Sequence, residues 1–266
     1  MACRRPRMRL NSVDLPTLGR PMMATVNIKQ STMGSESEQR APVGGLGYNE
    51  TMNWTVIETV LLDMDGTLLD RAFDDHFYVE ALPERYAAAR GMTVDKARER
   101  LVSLYRSVEG QLHWTDLDYW SRQLELDVPA IKDALRHGIA PHPDSLEFLV
   151  FLRKRKLPVH LVTNAHPKTL AIKMEKTGLD VHLDRMVTAF DVGCLKCEID
   201  YWVKSEAILG FDPATTLLVD DDETALVSAD AHGIRHLVHR SKSSSALPPQ
   251  ASTKYRSIES FHALMK

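Results

Sequence analysis

The feature that most constrains the fold is an alternation of strand and helix signals that begins near residue 56. Short apolar runs predict strands over 59–63, 158–163, 186–190, 215–220 and 234–239. Helical spacing predicts helices between them over 143–155, 167–177, 200–209 and 223–232, and a closing helix over 258–265. This pattern is typical of an α/β domain built on a doubly wound, mainly parallel sheet.

The alternation is interrupted once, directly after the first strand. Four helices follow one another there, over 76–90, 93–109, 115–124 and 128–137, each with apolar residues at helical spacing. We therefore predict a helical cap inserted after the first strand. The predicted domains are a core of residues 52–72 and 141–266 and a cap of residues 73–140.

The first 51 residues differ in composition from the rest. They are rich in Arg, Pro, Gly, Ser and Met and carry no sustained period, which predicts a disordered extension. Two alternatives stay open. The true start could be Met52, just before the first strand, or the Arg-rich beginning could be an organelle transit peptide.

Charge and cysteine content exclude several classes of protein. The net charge of -3 and the pI of about 6.4 give no broad positive field for nucleic acid or anionic membranes. Only Cys3, Cys194 and Cys197 are present, too few for a disulfide framework, so we expect a reducing, cytoplasmic location. No apolar run approaches the roughly 18 to 20 residues that span a bilayer. The sequence does not predict an oligomeric state.

Two carboxylates follow the first predicted strand, at Asp63 and Asp65. Open α/β sheets place ligands at the carboxyl ends of their strands, and Gly66 lets the chain turn away from strand geometry there. One carboxylate could attack a phosphomonoester while the other transfers protons. An anionic nucleophile facing a phosphate dianion needs a cation between them, and Mg²⁺ prefers oxygen ligands.

Three other strand ends carry matching chemistry. The strand over 215–220 ends in Asp220, Asp221 and Asp222, whose mutual repulsion is unfavourable without a bound cation. The strand over 158–163 ends in Thr163 and Asn164, which can donate to phosphate oxygens. Lys196 follows the strand over 186–190 and can neutralise a transferring phosphoryl group.

Each of these features alone has an ordinary structural explanation. An Asp-x-Asp after a strand is usually a turn or a helix cap, and a single threonine or lysine is commonly just solvated. The order in which they occur, with the helical insertion between the first and second, favours a catalytic site.

The four motifs resemble those of the haloacid dehalogenase-like phosphatase superfamily. A closer likeness is to its bacterial GMP/IMP 5'-nucleotidases, through the segments 60–70, 117–121, 163–167 and 177–184. The resemblance implies a Rossmann-like core, a Mg²⁺ cofactor and hydrolysis of a phosphomonoester, a purine nucleotide by the closer likeness, through an aspartyl-phosphate. It implies these roles: Asp63 as nucleophile and metal ligand, Asp65 as general acid and base with its carbonyl on the metal, Thr163 and Asn164 on phosphate, Lys196 as charge clamp, and Asp221 with Asp220 as further metal ligands.

Alternatives to this function remain at this point. A sugar-phosphate phosphatase or phosphoglucomutase would share every core residue. A carbon–halogen hydrolase would need neither Asp65 nor the metal carboxylates, and a non-enzymatic protein on this fold is expected to have lost them. Position 225 is Ala, where a further carboxylate is frequent, so Asp220 or Asp222 could compensate.

Two further groups have competing interpretations. Cys194 and Cys197 form a Cys-x-x-Cys, but no second ligand pair at matching spacing supports a zinc site, and redox activity stays open. In the predicted cap, Trp114 and Tyr119 could stack on a purine base. The alternative is that these aromatic side chains pack between cap helices.

Overall fold

Six parallel strands form a single sheet at the centre of the protein, for which the computed structural model describes residues 51–266. The strands are β1 Thr59–Leu62, β2 Val159–Thr163, β3 Arg185–Thr188, β4 Thr216–Asp220, β5 His236–Arg240 and β6 Arg256–Ile258. Their spatial order is β3-β2-β1-β4-β5-β6, and every neighbouring pair is parallel. The predicted doubly wound parallel sheet is confirmed. The predicted disordered extension lies outside the described residues, apart from Thr51.

Strand β1 lies between β2 and β4, and all four of its side chains are buried. Val60 and Leu62 pack into the apolar cluster on one face of the sheet, and Leu61 packs into the cluster on the other. Helices cover both faces, which explains why β1 is a continuous apolar run and does not alternate with polar residues. Burying each such side chain contributes about 1.5–3 kcal/mol.

Ten α-helices connect and cover the strands in the described part of the chain. They are α1 Ala72–His76, α2 Leu82–Arg90, α3 Val94–Ser107, α4 Leu117–Leu124, α5 Val128–Ala134, α6 Ser145–Lys154, α7 Pro167–Thr177, α8 Ala189–Val192, α9 Ile199–Leu209 and α10 Glu223–His232. None of the helices within residues 51–266 is both long enough and apolar enough to cross a bilayer.

Helices α1 to α5 form what we call the helical insert, residues 72–138, between β1 and β2. Most of their apolar side chains pack into a cluster of their own, distinct from the two clusters that flank the sheet, whereas Phe73 on α1 packs into one of the sheet clusters. Side-chain caps start three of these helices: the side chains of Thr93, Asp116 and Asp127 accept hydrogen bonds from backbone N–H groups of the first turns of α3, α4 and α5. The predicted run of helices after the first strand is therefore present.

The two chain crossings that join the insert to the rest of the protein lie side by side. Leu69 and Pro141 form an antiparallel bridge, and the backbone N–H of Asp70 donates to the carbonyl of Ala140 at 3.0 Å. The side chain of Ser145 donates to the carbonyl of Leu68 at 2.7 Å. The crossings begin next to the carboxyl end of β1, so the insert is tethered close to Asp63 and Asp65.

The predicted closing helix over 258–265 is wrong. Strand β6 ends at Ile258, and only a short 3-10 turn, Phe261–Ala263, follows it. The carboxylate of Asp144 anchors this segment by accepting from the Ser260 hydroxyl at 2.7 Å and the Phe261 backbone N–H at 2.6 Å, while Arg240 donates to both of its oxygens. Strand pairing and these bonds override the helical spacing of the apolar residues.

Burial raises the pKa of Asp144, but these hydrogen bonds outweigh that effect and lower the pKa to about 2.

Candidate active site

Asp63 and Lys196 form a buried ion pair at the carboxyl end of β1. The Nζ of Lys196 donates to Asp63 Oδ1 at 2.5 Å and to Asp220 Oδ2 at 2.7 Å, so one lysine holds the ends of two neighbouring strands together. Burial lowers the pKa of Lys196, but the two carboxylates outweigh it and hold that pKa well above its usual value. The lysine therefore stays charged beside Asp63.

The carboxyl of Asp63 is 4% exposed, and its burial raises its pKa to about 6 against the opposing effect of Lys196. Its second oxygen, Oδ2, is buried and has no hydrogen-bond partner among the described residues. A buried polar atom without a partner is costly unless a ligand satisfies it. One oxygen of Asp63 is thus fixed by Lys196, and the other is left for a ligand or a substrate.

Three carboxylates at this point can hold a cation. Oxygens of Asp63, Asp220 and Asp221 lie within 4.8 Å of one another, and all three residues are buried. Burial and the neighbouring carboxylates raise the pKa of Asp221 well above its usual value, although Arg71 opposes this by donating to Asp221 Oδ2 at 3.0 Å. An all-oxygen set of clustered carboxylates fits a hard cation such as Mg²⁺, whose charge would lower these pKa values.

The structure partly distinguishes the roles of the three consecutive acids Asp220, Asp221 and Asp222. Asp222 caps helix α10, because its carboxylate accepts from the backbone N–H and the hydroxyl of Thr224. Asp220 and Asp221, by contrast, lie in the carboxylate cluster with Asp63. The cluster therefore leaves out Asp222, while both oxygens of Asp220 already accept hydrogen bonds, from Lys196 Nζ and from the Asp222 backbone N–H.

Gly66 is required where it stands for two reasons. Its φ is +92°, a backbone conformation that L side chains rarely adopt, and a Cβ built on it would lie 2.3 Å from Asp221 Oδ2. The turn that follows Asp65 thus passes directly against a candidate metal ligand. Only a residue without a side chain allows that approach.

The carboxylate of Asp65 is bound by a second buried lysine. Lys173 Nζ on α7 donates to Asp65 Oδ1 at 2.5 Å and to Asp74 Oδ2, also at 2.5 Å. Burial raises the pKa of Asp65 to about 6, with Lys173 acting against the increase. A carboxyl group that titrates near neutral pH can both donate and accept a proton during turnover.

Thr163 and Asn164 lie at the carboxyl end of β2, beside Lys196. The Asn164 side-chain oxygen accepts from the Lys196 backbone N–H at 2.9 Å, and its backbone carbonyl accepts from the Thr115 hydroxyl of the helical insert at 2.7 Å. Thr163 and Asn164 both line the same cavity as Asp63 and Asp65. The predicted core residues therefore lie together, and all of them except Asp220 line this cavity, as does Asp222. Asp220 is fully buried and bound to Lys196.

That cavity lies between the strand ends and the helical insert, opens to solvent and has a volume of about 120 Å³. Trp114 lines it, yet this side chain is only 8% exposed and packs against Tyr105 at 5.8 Å between ring centroids. Tyr119 does not line the cavity; it packs on Trp120 and His113. Of the two aromatic residues predicted to meet a base, the structure brings only Trp114 to the cavity.

Cys194 and Cys197 are free thiols. Burial raises the pKa of both, which disfavours the reactive thiolate. Within residues 51–266, the side-chain clusters able to hold a metal are the carboxylate cluster and Asp116, Asp118 and His166, and neither includes a cysteine. The geometry gives no support to a zinc site at the Cys-x-x-Cys.

Sequence reasoning missed several residues of the cavity. Arg71, Asp74, Lys132 and Lys173 are buried charged residues that line it or pair within it, and Glu109 contributes a carboxylate from the end of α3. The sequence offered one usable signal for Lys173, which stands between the apolar residues Leu170 and Met174 of the predicted helix over 167–177. Charged residues on the buried side of a helix are uncommon unless they are paired.

Comparison with known proteins agrees with this geometry. The profile "Hydrolase: haloacid dehalogenase-like hydrolase" matches residues 57–233, a range that includes the helical insert and the four strand ends. The chain is 36% identical over 212 residues to the GMP/IMP nucleotidase YrfG of Escherichia coli (strain K12), covering 80% of this chain and 96% of that protein. It is 24% identical over 192 residues to a phosphoglycolate phosphatase of Chromobacterium violaceum, covering 68% of this chain and 84% of that protein.

Among solved structures, a HAD phosphatase from Thermococcus onnurineus superposes with a TM-score of 0.66 at 23% identity. The match covers 78% of this chain and 96% of that one. At this level of identity the likeness concerns the fold.

Proposed function

Because this chain is a phosphatase that belongs to the haloacid dehalogenase-like hydrolase family, we propose that its substrates are purine nucleoside 5'-monophosphates, GMP and IMP above all. The observation that carries this proposal is the 36% identity to a GMP/IMP nucleotidase over 96% of that protein's length. We propose further that the reaction proceeds through an aspartyl-phosphate on Asp63. The buried Oδ2 of Asp63, which has no partner among the described residues while Lys196 binds Oδ1, supports that role.

In the first step, Asp63 attacks the phosphorus of the substrate while Lys196 holds its other oxygen. The bond from phosphorus to the ester oxygen breaks as the bond from Asp63 forms, and the leaving oxygen takes a proton from Asp65. Lys196 balances the negative charge on Asp63 and on the transferring group. Thr163 and Asn164, at the end of β2, bind phosphate oxygens.

In the second step, water attacks the phosphorus of the aspartyl-phosphate. Asp65, now ionised, accepts the proton of this water, and Asp63 is released as a carboxylate together with inorganic phosphate. A pKa of about 6 suits Asp65 to both roles, because both of its protonation states are populated near neutral pH.

Asp63, Asp220 and Asp221 would hold Mg²⁺, with Asp65 contributing its backbone carbonyl. The bound cation would offset the repulsion between the carboxylates and the phosphate dianion. The three clustered carboxylates support this assignment.

The helical insert, in this proposal, acts as a cap over the strand ends. It contributes Tyr78, Glu109, Trp114 and Thr115 to the lining of the cavity, opposite the residues that handle phosphate. The paired crossings at Leu69 and Pro141 would be its hinge. Closure of such a cap excludes water from the reacting groups. With three cysteines and no disulfide framework, we place the protein in the reducing cytoplasm.

A second candidate is a phosphatase of small phosphorylated acids or sugars, favoured by the 24% identity to a phosphoglycolate phosphatase. Phosphate release decides between the two when it is measured across GMP, IMP, AMP, 2-phosphoglycolate and several sugar phosphates, with Mg²⁺ and with a chelator. We expect the highest kcat/KM for GMP and IMP and no turnover under chelation. A higher kcat/KM for a sugar phosphate or for 2-phosphoglycolate would overturn the nucleotide assignment.

A further inference from the structure

Four charged side chains, all buried except the half-buried Asp65, form an unbroken chain from the helical insert to Asp65. Lys132 Nζ on α5 donates to Asp74 Oδ1 at 2.7 Å, and Lys173 Nζ bridges Asp74 Oδ2 and Asp65 Oδ1 at 2.5 Å each. Lys132 and Asp74 belong to the insert, and Lys173 and Asp65 belong to the sheet domain. We call these four residues the buried charge chain.

The buried charge chain is electrically balanced when Asp65 is ionised, and its lysines are almost fully excluded from solvent. Lys132 and Lys173 are each 1% exposed, and Asp74 is 7% exposed. Burial raises the pKa of Asp74, but the two lysines outweigh it and hold that pKa below its ordinary value, so Asp74 is ionised. A buried lysine is tolerated only when its charge is compensated, so Lys173 depends on both of its carboxylates.

We propose that Lys173 is the positioning residue for Asp65 and that Asp74 of the helical insert holds Lys173 in place. A lysine side chain is long and flexible, and one carboxylate alone fixes it poorly. Bound between Asp74 and Asp65, it holds Asp65 by Oδ1 and directs the other oxygen to the reacting group. The acid and base of the reaction is thus correctly oriented only while the insert is seated on the sheet domain.

A second ion pair between the insert and the sheet domain provides a matched control. Lys168 on α7 donates to Asp118 on α4 at 2.5 Å, but the two side chains are 52% and 41% exposed and neither contacts Asp65. Lys168→Met and Lys173→Met therefore each remove a lysine of α7 that forms an ion pair with the insert. Only the second removes a contact with Asp65.

The test compares two leaving groups. p-Nitrophenolate leaves without protonation, whereas an alkoxide leaving group needs the proton of Asp65. The alkyl substrate in the test is the alkyl phosphate that the wild-type enzyme hydrolyses fastest. Lys173→Met should lower kcat/KM for the alkyl phosphate by about 10- to 100-fold, a large part of what a general acid contributes, and for p-nitrophenyl phosphate by less than about threefold. It should also produce a burst of nitrophenolate, because hydrolysis of the phosphoenzyme uses Asp65 as base.

Other variants complete the test. Lys173→Arg keeps the charge and should recover part of the loss, while Lys168→Met should change both substrates by less than about threefold, as expected for an exposed ion pair. In an Asp65→Asn background, Lys173→Met should have no further effect on the alkyl phosphate, because the two residues act as one unit. Asp74→Asn should show the same difference between substrates, to a smaller degree.

Two results would overturn the proposal. One is an equal loss of kcat/KM on both substrates in Lys173→Met, which indicates a purely structural role. The other is a full additional loss in the Asp65→Asn background. If Lys173→Met does not fold, Asp74→Asn decides by the same criterion, since an equal loss on both substrates excludes positioning of Asp65.

An independent observation concerns Glu109, which follows the end of α3. Its Oε1 atom is buried and has no hydrogen-bond partner within the described part of the chain, and the residue lines the same cavity as Asp63. Gly110, at φ +73°, turns the chain directly after it. An unpaired carboxylate oxygen in a cavity calls for a ligand that donates a hydrogen bond.

We infer that Glu109 selects the base of the substrate, an inference that rests on the proposed nucleotidase function. Guanine and hypoxanthine carry an N–H donor at N1, and guanine adds an amino group at N2, so both donate to a carboxylate. Adenine has an acceptor at N1, which a carboxylate repels. A site that leaves a polar group unpaired with the wrong substrate discriminates strongly against it.

Glu109→Gln tests this inference, because the amide offers one acceptor and one donor and so matches the adenine edge. We expect kcat/KM for GMP and IMP to fall by about 10- to 100-fold, the effect of one good hydrogen-bonded pair, and the preference over AMP to shrink or reverse. Hydrolysis of p-nitrophenyl phosphate should change by less than about threefold. Glu99→Gln, at an exposed position on α3, is the matched control and should alter none of these values.

The outcomes separate this inference from the function on which it rests. If the wild-type enzyme prefers GMP and IMP and Glu109→Gln keeps that preference, the role of Glu109 is overturned and the nucleotidase function stands. If the wild-type enzyme hydrolyses no nucleotide, the nucleotidase function fails and the inference fails with it.

Discussion

Replacing Gly66 by alanine should damage the metal site through a single added methyl group. The new Cβ would lie 2.3 Å from Oδ2 and 2.5 Å from Cγ of Asp221, far inside van der Waals contact. Asp221 has little room to withdraw, because it is 6% exposed and Arg71 holds its carboxylate at 3.0 Å. The backbone at φ +92° adds strain of about 1–2 kcal/mol for any L residue.

The assay is phosphate release as a function of Mg²⁺ concentration, together with urea unfolding. Displacing a metal ligand, or a residue that orients it, weakens metal binding by about 10- to 100-fold. We therefore expect the Mg²⁺ concentration for half-maximal activity to rise by that factor. The control is Gly233→Ala, where φ is +115° but the nearest atom to the new Cβ is 3.9 Å away. Both variants should lose stability, and only Gly66→Ala should lose its response to Mg²⁺. An unchanged Mg²⁺ dependence in Gly66→Ala would refute this account of the site.

Three further predictions concern the acids, the cavity and the closing segment. Asp221→Ala should weaken the Mg²⁺ response more than Asp222→Ala, since Asp222 caps α10, and equal effects in Mg²⁺ titrations would contradict the ligand assignment. Trp114→Ala should lower the free energy of unfolding by about 3–5 kcal/mol in urea because the side chain is buried. A rise in KM for IMP, with unchanged hydrolysis of p-nitrophenyl phosphate, would show that Trp114 also stacks on the base. Ionised Asp144, with a pKa of about 2 against 3.8 in the unfolded chain, should contribute about 2 kcal/mol of stability above pH 4, lost as the pH falls through 2. The stability difference between wild type and Asp144→Asn should therefore shrink over that range, and a constant difference would exclude ionisation of Asp144 as its cause.

The strand ends could be predicted from the sequence because each strand is a short apolar run followed at once by a polar residue. Asp63, Thr163 and Asp220 stand at such positions, and parallel strands bring their carboxyl ends to one edge of the sheet. The relative placement of these residues is thus a consequence of the topology. No knowledge of side-chain packing is needed for it.

The partners of these residues could not be predicted, because tertiary packing creates them. Lys173 is 108 positions from Asp65 in the sequence and Arg71 is 150 positions from Asp221, and no local pattern links either pair. The closing segment was mispredicted for a similar reason. Strand pairing with β5 and the bonds to Asp144 are long-range contacts, and they override the helical spacing around Phe261.

The central claim is that Asp63 carries the phosphoryl group. The direct test is to incubate the Asp65→Asn variant with Mg²⁺ and p-nitrophenyl phosphate, quench in acid and locate the phosphoryl group by peptide mass spectrometry. Without its base, the second step is slow, so we expect one phosphoryl group on the peptide that contains Asp63, and none when Asp63→Asn is added. A phosphoryl group on any other residue, or none at all while nitrophenolate is released, would contradict the mechanism.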